Sequence, residues 1–285
     1  MNLLFRTLFK LAGGLSRAGE NAYRQDYDLR APTYDTVETR PLLKKITAQF
    51  ISELCLRPGA RCLDLGCGTG YSTLLLDQAV RPSGSVEGCD NSEGMLREAR
   101  RLGSAALPVT SFARAEMLEF LAARPDNSAD FIGSFWSAEY CQLDRLFGQI
   151  SRVLRPGGAA AMLINTHQSL VELQKTVLSM LLRRPGFIKC FPPINFPPDM
   201  NTFRRRAEQG GLAIERLEEC SLEYKFKDAA AAVSWVKNSG PAAGLTAALK
   251  KERLAEFYTA FGKEVEDKKG LTVTFKFLKF SGRKK

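Results

Sequence analysis

Long apolar runs are missing from this 285-residue sequence. No stretch approaches the roughly 20 apolar residues that span a bilayer, which leaves a membrane-spanning helix out of the reading. CxxC pairs are missing too. The seven cysteines are scattered and odd in number, so neither a disulfide framework nor a zinc module is indicated and no metal is expected. Free thiols point to a reducing compartment, and a cytoplasmic protein is expected. Histidine is nearly absent, with His167 the only one. Acid is missing from Lys268 to Lys285, where Lys268, Lys269, Lys276, Lys279, Arg283, Lys284 and Lys285 stand without one Asp or Glu.

What is present is ordinary globular material. Hydrophobic residues make up 45 % and charged residues 25 %, enough for a sizeable core. The formal charge of +10 favours acidic partners such as nucleic acid, anionic lipid or a small anion. A solvated basic tail is the plainer reading of the C-terminal cations. At the other end, Leu4, Leu8, Leu11 and Leu15 share one face at helical period, with Arg6, Lys10 and Arg17 between apolar residues. Those charges argue against a secretory signal. A lid helix, a helix on a membrane surface and an organelle transit peptide stay open for this stretch. With its lead-in it forms segment 1–40, ahead of a main domain at 41–285.

From about residue 60 strand and helix signals alternate. Strands are expected at Ala60–Leu65, Ser85–Cys89, Val109–Arg114, Asp130–Phe135 and Ala159–Ile164. Helices start near Tyr71 and Ser92, and a third ends at Leu154, where Arg155-Pro156-Gly157-Gly158 reads as a stop and turn. Alternation of this kind builds a mostly parallel sheet covered by helices on both faces. Further on, Leu170–Leu182 and Asn201–Gly210 read as helices, Leu212–Tyr224 as a strand, 228–268 as helical with a break at Gly240-Pro241, and Leu271–Phe280 as a last strand. Arg184–Pro198 reads as an irregular loop. Helical insertions therefore fall at about 165–200 and 225–268, placed to cap a pocket.

The chemistry-bearing stretch is Asp64-x-Gly66-x-Gly68-x-Gly70, where a strand gives way to a helix. Glycines let the backbone turn sharply and approach a ligand, and the helix start offers free amide donors. The spacing is GxGxG, one residue shorter than the dinucleotide fingerprint. Asp90 ends the next strand, 26 residues beyond Asp64. A carboxylate there can accept both hydroxyls of a ribose. Loop capping and helix capping are the plain alternatives for Asp64 and Asp90.

Asp64–Gly70 (DLGCGTG), Gly88–Leu96 (GCDNSEGML) and Arg152–Gly158 (RVLRPGG) together resemble the successive motifs of the class I S-adenosylmethionine (SAM)-dependent methyltransferases. Tyr27–Asp35 is similar to the YDxxAxxYD lead-in of many small-molecule members. The resemblance implies a doubly wound, mostly parallel α/β sheet of seven strands, the last antiparallel. It implies SAM as cofactor, with Gly66, Cys67, Gly68 and Gly70 along its methionine part, Asp64 at its amino group, Asp90 at its ribose, and Asn91 and Met95 beside its adenine. Tyr34, in the lead-in, is assigned to the same site. An adenine-reading acid is usual after the third strand. Arg114 occupies that position, so Ala115 and Glu116 are assigned instead.

Methyl transfer from a sulfonium is an in-line displacement, so catalytic groups can be few. Glu139 and His167 are candidate bases, against a helix-start acid and a structural histidine. Trp136, Tyr140, Phe196 and Trp235 are candidate acceptor contacts, against plain core packing, and Phe191 could join them. The acceptor is expected to be a small organic molecule. Nucleic acid is disfavoured, because the fourth strand lacks an Asn/Asp-Pro-Pro-aromatic ending and no Pro precedes Cys141. A lipid or quinone acceptor at a membrane, and a SAM-binding regulator without turnover, remain the alternatives. The oligomeric state is not legible.

Overall fold

The computed structural model describes residues 21–103, 110–188, 197, 199–240 and 248–285. Seven strands form one sheet: β1 (Arg61–Leu65), β2 (Ser85–Asp90), β3 (Thr110–Arg114), β4 (Ala129–Phe135), β5 (Leu154–Asn165), β6 (Leu212–Lys225) and β7 (Thr272–Lys284). Their order is β3-β2-β1-β4-β5-β7-β6. Neighbours from β3 to β5 pair in parallel, while β7 runs antiparallel to both β5 and β6. This is the seven-stranded sheet that the motifs implied. Strand order reverses between β1 and β4, and such a switch point opens a crevice at the carboxyl ends of the strands.

Among the described residues, ten α-helices flank the sheet: α1 (Asn21–Arg30), α2 (Arg40–Glu53), α3 (Tyr71–Val80), α4 (Glu93–Gly103), α5 (Met117–Ala122), α6 (Leu143–Val153), α7 (Val171–Arg183), α8 (Met200–Gln209), α9 (Ala229–Asn238) and α10 (Leu254–Asp267). The alternation of β7 divides the core. Val273, Phe275 and Phe277 face one layer with residues of α2, α3, α7, α9 and α10. Leu278 and Phe280 face the other, with residues of α5, α6 and α8. Each layer buries the apolar stripe of its helices against one side of the sheet. Among the described residues, no helix is long and apolar enough to cross a membrane.

Three features differ from the sequence reading. Two helices that the sequence reading did not assign, α1 and α2, precede β1, and α2 buries Leu43, Phe50 and Ile51 on one face. The Arg155–Gly158 stretch is not a free turn but the irregular start of β5. Pairing there passes from Ala129 opposite Leu154 to Phe131 opposite Ala159, so the extra residues bulge out, with Gly157 at φ +73°. The insertions pack on the sheet as α7 and as α9 with α10. The stretch Met1–Arg17, Phe191 and Phe196 lie outside the described residues.

Phe147, Phe203 and Phe280 make a fully buried triad joining α6, α8 and β7, with ring centroids 5.3–5.9 Å apart. Phe280→Ala would leave a cavity where three elements meet. It is expected to lower unfolding stability by about 3–5 kcal/mol in urea titrations; a loss under about 1 kcal/mol would contradict this packing.

Candidate active site

The first strand delivers a turn that only glycine fits. Gly66 has φ +68°, and a Cβ there would stand 2.5 Å from Ser137 Cβ. Ser137 follows β4 and donates from Oγ to the Leu65 carbonyl at 2.8 Å. The loops after β1 and β4 are thus locked in contact. Asp64 lies beneath the loop, fully buried. Its Oδ2 accepts from Ser72 Oγ (2.7 Å) and Thr73 Oγ1 (2.6 Å) in the first turn of α3. Its Oδ1 is buried with no hydrogen-bond partner. Burial pushes the carboxyl up to about 6, against the two hydroxyl donors.

Around the loop lies a cavity of about 780 Å³. Residues that follow β1, β2, β3 and β4 all line it, as the switch point requires. Asp90 stands on its wall. Asp90 Oδ2 accepts from the Gly68 amide at 2.9 Å and Oδ1 from the Ser92 amide at 2.9 Å. Burial raises this carboxyl too, to about 6, opposed by those amides. Asn91, Met95, Ala115 and Glu116 continue the wall. Asn91 Nδ2 donates to Glu116 Oε1 at 2.7 Å, and the Ala115 amide donates to the Asp90 carbonyl at 3.1 Å. Arg114 is exposed at the end of β3 and does not line the cavity, whereas Glu116 does.

The lead-in closes part of the cavity. Tyr34 lines the cavity, and Arg40 stacks over its ring at 4.3 Å. Arg40 and Lys44 both pair with Asp35, each at 3.1 Å, and Thr69 Oγ1 of the glycine loop donates to the same carboxylate at 3.0 Å. Burial raises Asp35, but the two cations outweigh it and hold the carboxyl below its ordinary range. Two cations on one carboxylate leave a net positive charge at the cavity wall, suited to an anionic ligand group. Arg40 and Lys44 were not picked out from the sequence. Their spacing on α2 becomes a signal only once Asp35 is known to sit against the loop.

Beside these residues the wall is aromatic. Trp136 and Tyr140 line the cavity with Tyr23 and Tyr27. Trp136 holds a left-handed backbone, φ +67°, which is costly for a bulky residue. It is fixed by its amide donating to the Leu163 carbonyl (2.7 Å), its indole donating to Thr47 Oγ1 (2.9 Å), and its ring against Phe277. The Tyr27 and Tyr140 hydroxyls are 2.8 Å apart. Burial, and then each other's proximity, pushes Tyr27 well above its ordinary value; burial also raises Tyr140. Both stay neutral hydrogen-bonding groups.

The remaining candidates lie elsewhere. Glu139 is buried beside Tyr140 but off the cavity surface. Its Oε1 accepts from Asn165 Nδ2 at 2.8 Å, its Oε2 has no partner, and burial pushes it up to about 7. His167, in the turn after β5, donates its amide to the Pro197 carbonyl and has Nδ1 buried without a partner. It does not line the cavity. Trp235 does not reach it either. The buried stripe of α9 turns the indole into the core against Phe226 and Phe275, donating to Thr39 Oγ1 at 3.0 Å.

These residues fit SAM. The Gly66 cradle has no room for a side chain, Asp90 faces the cavity, Asp64 keeps an orphaned oxygen below, and cations stand at one end. A family profile described as "Methyltransferase domain" matches residues 62–158. Among curated proteins, the demethylmenaquinone methyltransferase of Symbiobacterium thermophilum is 35 % identical over 49 % of this chain and 57 % of its own length. That of Staphylococcus aureus is 31 % identical over 63 % of this chain and 82 % of its own. The chain belongs to the class I SAM-dependent methyltransferases. It spans little more than half of the Symbiobacterium relative. The crystal structure of the YcgJ protein from Bacillus subtilis shares the fold, with a TM-score of 0.60 at 15 % identity, over 85 % of this chain and 99 % of that one.

The Asp64 carboxyl of this methyltransferase gives a pH signature. Its folded value of about 6 exceeds the ordinary 3.8. Between those values the folded chain keeps a proton that the unfolded chain has released. Stability from this group is therefore present at pH 4 and lost as pH rises through about 6, on the order of 1–3 kcal/mol. Asp64→Asn keeps an oxygen for Ser72 and Thr73 without the charge. Thermal melts at pH 4.5, 5.5 and 6.5 should show the wild type losing ground to this variant as pH rises; a gain would contradict the assignment.

Proposed function

We propose that this methyltransferase transfers the SAM methyl group to a small organic acceptor held against the tyrosine wall, with an oxygen-bearing aromatic ring as the preferred class. The observation that carries this reading is the cavity itself, continuous from the glycine loop to Tyr23, Tyr27, Trp136 and Tyr140. Flat rings stack or meet edge-on with such walls, and the neutral Tyr27–Tyr140 pair can exchange hydrogen bonds with an acceptor oxygen. The names of the two curated relatives, both demethylmenaquinone methyltransferases, support a quinol-type ring as the first compound to test. A polymeric acceptor fits less well, since α1 walls the acceptor side.

SAM, when bound, supplies an already activated methyl group. The chain's work is then positioning and exclusion of water, which can supply roughly 7–11 kcal/mol of a barrier. Asp90, the glycine loop and the Arg40–Lys44 pair hold one reactant. Trp136, fixed by Thr47 and Phe277, and the tyrosine pair hold the other.

Release of S-adenosylhomocysteine from the full chain, SAM and a panel of reduced naphthoquinols, catechols, phenols, amines and carboxylic acids tests the proposal. Turnover should concentrate in the oxygenated rings. Turnover with RNA or with amines alone would overturn it. Tyr140→Phe should raise the acceptor KM roughly three- to tenfold, the worth of one hydrogen bond, and leave the SAM KM unchanged. If the acceptor carries a lipid tail, the basic amphipathic stretch Met1–Arg17 would suit a membrane surface. Flotation with anionic liposomes should then weaken when residues 1–20 are removed, and equal partition would discard that extension.

A further inference from the structure

Helix α1 is anchored at two points, and neither anchor lines the cavity. At the first, Asp28 Oδ1 accepts from Ser92 Oγ at 2.6 Å and from the Gly94 amide at 2.8 Å. Only glycine permits this approach, because a Cβ on Gly94 would stand 2.8 Å from the Asp28 Cα and its carbonyl oxygen. Ser92 also donates its own amide to Asp90 Oδ1, while Asp90 Oδ2 accepts from Gly68. An unbroken chain of hydrogen bonds thus runs from α1, through the first turn of α4, to the cavity carboxylate and the glycine loop. At the second anchor, the buried Arg30 donates from Nη1 to the Ser239 carbonyl at 2.9 Å and the Val236 carbonyl at 3.2 Å, at the C-terminal end of α9.

Just ahead of the anchors α1 carries acceptor-side residues. Tyr27 meets Tyr140, donates to the Gly240 carbonyl at 3.3 Å, and has its ring edge-on to Tyr34. The same short helix therefore touches the turn that holds Asp90 on one side and forms the acceptor wall on the other. A charge-assisted bond from a carboxylate to an amide and a hydroxyl is strong and directional. Fixing the Asp90 turn fixes the donors that Asp28 needs.

We propose that Asp28 is a positioning residue that couples occupation of the cofactor site to the docking of α1, so that the tyrosine wall is set when the cofactor is in place and the acceptor binds second. This rests on the reading that the Gly66–Gly70 loop and Asp90 hold SAM. Coupling of two sites is reciprocal: whatever the cofactor adds to α1 docking, α1 docking adds to cofactor affinity.

The test uses the full chain with S-adenosylhomocysteine as the probe, and reads amide hydrogen exchange over Asn21–Arg30 beside the probe's Kd by calorimetry. In the wild type the probe should slow exchange in α1 by about tenfold, the scale of one charge-assisted bond. Asp28→Ala should abolish that slowing and weaken the probe by no more than the same factor. Asp28→Asn, which keeps an accepting oxygen, should restore most of it; a structural role alone would not separate these two. The coupling is overturned if the wild type binds the probe with α1 exchange unchanged. It is also overturned if Asp28→Ala keeps the full slowing, or if that variant is folded yet no longer binds the probe. The wild-type arm decides even if Asp28→Ala does not fold. A wild type that fails to bind the probe overturns the cofactor reading itself, and the coupling with it.

Discussion

Contact between Gly66 and Ser137 sets where everything else in the site can stand. β1 and β4 are neighbours whose continuations diverge at the switch point, yet their loops must meet there. The left-handed backbone of Gly66 and the Ser137 bond to the Leu65 carbonyl hold them together. With that contact fixed, α3 starts where its first-turn hydroxyls reach back to Asp64, and Gly68 points its amide at Asp90. The loop's shape is therefore held from below by one carboxylate and from the side by another. A side chain at position 66 would force the loops apart, and the cavity wall would lose the contributions that follow β1 and β4 at once.

The lead-in completes the site by a repeated arrangement. Tyr27 with Asp28 and Tyr34 with Asp35 stand seven residues apart. In both pairs the tyrosine faces the cavity and the aspartate locks onto the sheet domain. Asp28 seats on the first turn of α4 and Asp35 on Thr69 of the glycine loop. Each pair supplies an apolar wall and its own fastening. This explains how a segment with few apolar residues can close a site: to the burial of Tyr23, Ala31 and Val37 it adds charge-assisted bonds to helix-start and loop donors.

Much of this was legible in the sequence, for physical reasons that also mark the limit. Parallel strands buried on both faces read as apolar runs, and glycine-rich turns mark where they end, so β1 to β5 and the loop stood out. Asp90 was legible because a strand end followed by a helix start fixes its place. Trp235 was misplaced because an aromatic residue on a helix faces core or cavity according to helix rotation, which composition does not encode. Arg40 and Lys44 were missed because surface-like cations on α2 gain meaning only from Asp35, a partner in the preceding segment. Asp64 was expected at the ligand; its rank in the motif is the same whether it touches the ligand or shapes the loop.

The two carboxylates about the loop share one electrostatic cause and differ in their partners. Asp64 and Asp90 are each pushed up to about 6 by burial, and each is opposed by donors from the start of a helix. Asp90 has both oxygens engaged by backbone amides and still lies on the cavity wall, so added hydroxyl donors would complete a set already organised around its charge. Asp64 has one oxygen fully used by Ser72 and Thr73 and the other with none. A buried acceptor left bare costs free energy unless something donates to it. Asp90 therefore presents its carboxylate at the cavity wall, while Asp64 sits below the loop, off that wall, and shapes it.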